Sequence, residues 1–191
     1  MDHEGTHHEL SAGMHGQKLD FDTIPTGSPL YKEWVDVMTA YIREGFSTPP
    51  EAIVGVANGT NRLALDVARR FNGRTLGLIS EKDDMDAKSL RLSELALKAV
   101  AGLLPRFVIV VEDVGTTGSN SVQIAQQIQD AGAHEVVVIN TWQRRERLEK
   151  LEAAKTPYLS IINQELPTYS LEDCSVQGYC AKGWKLVQKT E

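Results

Sequence analysis

Short apolar runs alternate with longer amphipathic stretches from about residue 28 to residue 162. The runs are Ala52 to Ala57, Arg74 to Ser80, Phe107 to Val111, Glu135 to Ile139 and Tyr158 to Ile162. Several are continuous and rich in valine and isoleucine, which suits strands covered on both faces of a parallel sheet. Helical periods lie between them. Ser28 can cap and Pro29 open a helix to about residue 44, with Leu30, Trp34, Val37, Met38 and Tyr41 on one face and Gly45 as its stop. Trp34 is assigned to core packing. Arg62 to Phe71 is a second helix, ended by Asn72-Gly73. A third opens at Ser119 or Asn120, carries Val122, Ile124, Ala125 and Ile128, and stops at Gly132. Trp142 to Ala154 reads as a charged surface helix. Residues 93–103 fit either a short helix capped by Ser93 or a strand through Leu95 and Leu97. Strands alternating with helices predict an α/β fold with a mostly parallel central sheet and flanking helices, in one domain spanning residues 1–191.

The stretch from Arg106 to Ser119 organises the rest. A buried strand ends in two acids, Glu112 and Asp113, and Val114 to Gly118 follow with two glycines and two threonines. Backbone N–H groups of a glycine-containing loop at a helix N-terminus form an anion site. Thr116, Thr117 and Ser119 add hydroxyl donors. The carboxylates cannot bind that anion, but they can accept hydrogen bonds from sugar hydroxyls. A phosphate beside a ribose satisfies both halves. Ala52 to Ala57 runs into a second small-residue loop, Asn58-Gly59-Thr60-Asn61, which offers close backbone approach to further phosphates; a plain tight turn is the competing reading.

Composition narrows the class. With 191 residues, 41% apolar and 24% charged, the chain suits a globular domain with a sizeable core. A net charge of −6 does not suggest a duplex nucleic-acid partner. No apolar run approaches a membrane span, and the N-terminus lacks the apolar core of a signal peptide. Two cysteines argue against a disulfide scaffold and fit a reducing cytoplasm.

The segment Val-Val-Glu112-Asp113-Val-Gly-Thr-Thr-Gly-Ser119 resembles the phosphoribosyl pyrophosphate (PRPP) signature of the type I phosphoribosyltransferases. The resemblance implies that Glu112 and Asp113 hold the ribose hydroxyls, and that Gly115, Thr116, Thr117, Gly118 and Ser119 cradle the 5′-phosphate. It makes Asn58, Gly59 and Thr60 the pyrophosphate loop, with one glycine where the family often has two adjacent ones. It places a flexible loop over residues 81–104, with Lys82 or Lys88 as its lysine and Arg91 behind them. Lys82 and Asp113 are the implied catalytic residues. A solvated charge run is the competing reading of that segment. Magnesium is implied as a passenger on PRPP oxygens and water, and a homodimer as the assembly.

Leu10-Ser-Ala-Gly-Met-His15 is similar to the N-terminal hood segment of orotate phosphoribosyltransferases, and the tail from Leu166 is similar to the C-terminal end of a bacterial and archaeal subset of them. The resemblance assigns Lys18, Thr117, Arg144 and Arg145 to the base, with either arginine as the reader of a carboxylate. Orotate is the expected acceptor. Another base, purine or uracil, and a non-enzymatic PRPP-binding regulator are the alternatives. The first residues, holding His3, His7 and His8, read as a mobile polar arm in preference to a metal site. The Cys-x5-Cys spacing of Cys174 and Cys180, two thiols with no second ligand pair in view, reads as free cysteines with no metal.

Overall fold

The valine- and isoleucine-rich runs become the inner strands of a six-stranded sheet. The computed structural model describes residues 6–10, 14–17, 21, 23–57, 59–83 and 89–187. Its first elements are β1 (Thr6–Glu9), β2 (His15–Gly16), α1 (Pro29–Gly45), β3 (Ala52–Gly55), α2 (Asn61–Arg69), β4 (Leu76–Lys82), β5 (Leu90–Leu92) and α3 (Glu94–Leu103). Then come β6 (Phe107–Gly115), α4 (Ser119–Asp130), β7 (Glu135–Gln143), α5 (Glu149–Ala153), β8 (Tyr158–Asn163), β9 (Thr168–Tyr169), α6 (Leu171–Val176) and β10 (Lys185–Val187).

The chain divides into two compact units. One, Ile24–Gln164, holds the six-stranded sheet in the order β5-β4-β3-β6-β7-β8. All its pairings are parallel except β4 with β5. The other joins the two chain ends, Met1–Thr23 and Glu165–Glu191, around a four-stranded sheet in the order β10-β1-β2-β9.

Strand β6 is central because every residue from Phe107 to Val111 is buried. Its side chains alternate between faces. Val108 and Val110 pack with Val54, Val136 and Val138 beneath Ile124, Ala125 and Ile128 of α4. Ile109 stands in register with Ile53 and Val137 on the other face. There Trp34 of α1 is buried, and its Nε1 donates to Thr141 Oγ1 at 2.8 Å. The expected helix after Ser28 forms as read, with the Ser28 hydroxyl accepting from the Tyr31 N–H at 3.1 Å.

Several expectations are corrected. Residues 93–103 settle as helix, since Ser93 Oγ accepts from the Ala96 N–H and caps α3. Residues 81–104 do not form one long loop. Strand β4 runs on to Lys82, pairs back with β5, and α3 follows, leaving only 84–88 outside the described residues. The register sets Glu81 opposite Arg91, and their side chains form an exposed ion pair at 3.1 Å. The charged helix read over 142–154 is mostly not helical. Strand β7 continues to Gln143 because it still pairs with β6 and β8, and only Glu149–Ala153 is helix. Residues 6–9 of the expected mobile arm are a paired strand, with His7 fully buried.

The sheet order reverses between β3 and β6. From β3 the chain passes through α2 to β4 on one side, and from β6 through α4 to β7 on the other. Loops leaving the carboxyl ends of these neighbours diverge and open a crevice, the usual ligand position in such sheets. The β3–α2 loop folds back tightly on its strand. A Cβ on Gly55 would lie 2.5 Å from Asn61 Cα and from the Thr60 carbonyl oxygen. Gly55→Ala is therefore expected to cost about 1–3 kcal/mol in urea unfolding. Gly45→Ala, whose Cβ meets nothing within 4 Å at the end of α1, should be neutral or stabilise by up to about 1 kcal/mol.

Candidate active site at the carboxyl edge of the sheet

The loop between β6 and α4 is held from one side. The Arg144 N–H donates to the Gly115 carbonyl at 3.0 Å, and the Lys150 N–H donates to the Thr117 carbonyl at 3.0 Å. In a trans peptide the N–H points opposite to its carbonyl. The next N–H groups, of Thr116 and Gly118, therefore aim away from the supporting segment. Gly118 caps α4 in the left-handed conformation, φ 79°, instead of Ser119 or Asn120 as the sequence suggested. Two constraints demand glycine there, because a Cβ would also meet Leu151 Cγ at 2.6 Å. With no side-chain cap, the hydroxyls of Thr117 and Ser119 stand 3.0 Å apart beside the helix N-terminus. Diverging N–H groups, two hydroxyls and a helix dipole make an anion cradle.

The paired acids are not equivalent. Successive strand residues face opposite sides. Glu112 points under α4, is 8% exposed, and accepts a short hydrogen bond from the fully buried Ser121 hydroxyl. Burial pushes its pKa up to about 7, with Asp113 adding to the rise and Ser121 opposing it. Asp113 is half-buried on the other face, and its Oδ1 accepts from the Val114 N–H at 2.7 Å. Sequence reading missed Ser121. A serine on the buried face of an amphipathic helix, two residues after the cap region, was the available signal. Asn140 was also missed. It stands opposite Glu112 in the β6–β7 register and is fully buried, and its Oδ1 has no hydrogen-bond partner. A Cβ on Gly115 would lie 2.8 Å from that oxygen.

In the second loop Gly59 is half-buried and Thr60 is buried. The Thr60 hydroxyl lies within reach of the Val111 and Val56 carbonyls, at 2.7 and 3.0 Å, and accepts from the Val56 N–H. Its side chain thus ties β3 to β6. Asn61 takes a positioning role. Its Nδ2 donates to the Ser80 carbonyl at 2.7 Å, and its Oδ1 accepts from the Ser80 N–H at 3.1 Å. The Ser80 hydroxyl donates to the Gly55 carbonyl. This clamp fixes the loop to the end of β4, where exposed Lys82 follows. Asn58, Lys88 and Lys18 lie outside the described residues.

The two arginine candidates separate. Arg144 is buried beside the β6–α4 loop, whereas Arg145 is exposed. Gln143 Nε2 holds this turn by donating to the Arg145 and Glu146 carbonyls, both at 2.8 Å. A cavity of about 470 Å³ lined by Ile42, Arg43, Phe71 and Arg74 lies elsewhere, beside the ends of α1 and α2. The site is therefore placed by strand ends and donor geometry and not by concavity.

No family model matches the chain. Over 185 residues, 95% of this chain and 87% of the relative, it is 28% identical to an orotate phosphoribosyltransferase of Caldanaerobacter subterraneus subsp. tengcongensis. The structure of orotate phosphoribosyltransferase from Mycobacterium tuberculosis in complex with inorganic phosphate is similar, with a TM-score of 0.57 and 22% identity, covering 82% of this chain and 85% of that one. Adenine phosphoribosyltransferase from Saccharomyces cerevisiae superposes with a TM-score of 0.57 at 13% identity, over 81% of this chain and 96% of that one. In fold and signature the chain resembles the type I phosphoribosyltransferases. In sequence it is most like the orotate phosphoribosyltransferases. Among the described residues, no helix is long and apolar enough to cross a membrane.

Glu112 gives this site a pH signature. Its folded pKa is raised from 4.5 to about 7, so its contribution to stability is complete below about pH 4.5 and is lost as pH rises through about 7. Glu112→Gln has no carboxyl to ionise. The stability of the variant relative to the parent, measured by urea unfolding, should therefore climb between pH 5 and pH 8. The climb is at most on the order of 3 kcal/mol. A difference independent of pH would mean that Glu112 ionises normally.

Proposed function

We propose that this protein transfers the phosphoribosyl group of PRPP to a ring nitrogen of orotate, giving orotidine 5′-monophosphate and pyrophosphate. The observation that carries this reading is the anion cradle at 115–119 set directly beside two carboxylates, at the point where the sheet order reverses. The names of the relatives support the choice of base. In this reading Gly115, Thr116, Thr117, Gly118 and Ser119 bind the 5′-phosphate. Asp113 and Glu112 accept from the ribose hydroxyls. Backbone groups around Gly59 face the pyrophosphate. Asn140 and Ser121 hold the floor of the site. Arg144, with Arg145 as the exposed alternative, reads the carboxylate of the base, assisted by Thr117 and Lys18.

The reaction breaks the bond from the anomeric carbon to pyrophosphate and forms one to the base nitrogen, through an oxocarbenium-like state. The protein's part is positioning and charge compensation. A cation must meet the departing pyrophosphate, and Lys82 at the end of β4 or Lys88 beyond it fills that role. Two carboxylates among sugar and phosphate oxygens suit a hard divalent ion, so magnesium would neutralise charge on PRPP while keeping much of its water. The active assembly is proposed to be a homodimer in the cytoplasm.

The deciding experiment follows the ultraviolet absorbance of orotate with PRPP and magnesium. PRPP-dependent loss of orotate with release of pyrophosphate is expected. No turnover with any base, while PRPP still binds in calorimetry, would overturn catalysis and leave a PRPP-binding regulator.

Two substitutions divide the labour. Asp113→Asn should weaken PRPP binding roughly 10- to 100-fold, the loss of a charge-assisted hydrogen bond, without a comparable fall in thermal stability. Lys82→Ala should lower kcat more than PRPP affinity. If the lysine acts across a dimer, mixing the two variants after subunit exchange should restore part of the activity.

A further inference from the structure

The unit made by the chain ends brings together four side chains from segments far apart in sequence: His7 of β1, His15 of β2, Cys174 of α6 and Cys180 in the turn after it. His7, His15 and Cys174 are buried, and Cys180 is half-buried. One ligand atom from each lies within 4.8 Å of all the others. His7 Nε2 and His15 Nδ1 are 3.3 Å apart, and Cys180 Sγ is 3.3 Å from the first and 3.4 Å from the second. Around a tetrahedral zinc, with Zn–N near 2.05 Å and Zn–S near 2.3 Å, the ligand edges would be about 3.3 Å for N–N and about 3.6 Å for N–S. The three spacings among His7, His15 and Cys180 match these within a few tenths of an ångström, and Cys174 Sγ completes the set within 4.8 Å.

The surroundings are those of a built site. The Cys180 N–H donates to Cys174 Sγ at 3.2 Å. The Gly178 and Ala181 N–H groups both donate to the Cys174 carbonyl, closing the Cys-x5-Cys segment into a tight knuckle. Gly178 is required there, because a Cβ would meet Cys174 Cα at 2.7 Å. Tyr179 stacks on the His7 ring with centroids 5.6 Å apart, and Trp184 packs against Tyr179 at 4.9 Å. An aromatic wall of this kind limits water around the four ligands. The two cysteines are free thiols and not a disulfide.

We propose that His7, His15, Cys174 and Cys180 bind one structural zinc ion that clasps the two ends of the chain. Two sulfurs and two imidazole nitrogens, closing to tetrahedral geometry around the ion, select zinc among the common divalent ions. Four protein ligands leave no open position, so the ion stabilises and does not catalyse. On binding, both thiols release their protons to solvent and the imidazoles ligate as neutral rings. The sequence separated these ligands into a histidine-rich start and an isolated cysteine pair. Pairing of β1 with β2 and β10 supplies what spacing alone could not show.

The test uses the full chain, purified without chelators and kept reduced. Metal analysis should find about one zinc per chain. Cobalt(II) exchanged into the site should give the strong visible bands of a tetrahedral ion with a thiolate charge-transfer band. Cys174→Ser and Cys180→Ser should each lose most of the zinc, and His134→Gln, outside the cluster, should keep it. If the cysteine variants do not fold, the cobalt spectrum of the parent protein still decides. Metal removal should speed hydrogen exchange in 6–9 and 168–187 while leaving β6 protected. Reduced protein that takes up neither zinc nor tetrahedral cobalt would overturn the proposal, as would metal retained in both cysteine variants.

Discussion

Everything at the candidate site depends on the parallel ladder between β6 and β7. It runs unbroken in direction from Phe107 opposite Glu135 to Gly115 opposite Gln143. By continuing past the two acids it carries them, and the loop beyond, on rigid backbone. The chain that leaves β7 then turns back and holds that loop through the Arg144 and Lys150 N–H groups and the Leu151 side chain beneath Gly118. A site on this support is organised before any ligand arrives, so little of the binding energy has to order it. The second loop is held similarly, by Thr60 to β3 and β6 and by Asn61 to β4.

Most of the architecture was legible in the residues because buried parallel strands leave a strong signal. The runs at 52, 107 and 135 are continuous, β-branched and bounded by small residues. The loop between β6 and α4 was legible because glycine, threonine and serine mark a strand–helix junction. What failed did so for identifiable reasons. Residues 142–154 carry helix-favouring charges, yet their first part extends a strand, because tertiary pairing with β6 and β8 outweighs local preference. Residues 81–92 hold too few apolar positions for a periodicity to reveal a hairpin. Thr60 was read only as part of a loop of small residues, and only the fold shows that its hydroxyl already serves three backbone groups.

The two acids show that neighbours in a motif need not share an environment. Sequence treats Glu112 and Asp113 as a pair. The strand sends them to opposite faces, burying one beneath a helix with a serine and leaving the other half-open. Their electrostatic situations differ accordingly. The unpartnered Asn140 Oδ1, beside the Cβ-less Gly115, belongs to the same design, in which an invisible side chain makes room for a polar oxygen.

The pairing of β1 with β10 also has a consequence for how the protein is made. His7 and Cys180, which meet in the finished unit, are 173 positions apart. At about 5–20 residues per second, a ribosome needs on the order of 10–35 s to bridge that interval. The larger unit has its strands complete well before then. Strand β1 spends that time without its parallel partner. The unit that pairs β1 with β10 can therefore close only after every strand of the larger unit has been made.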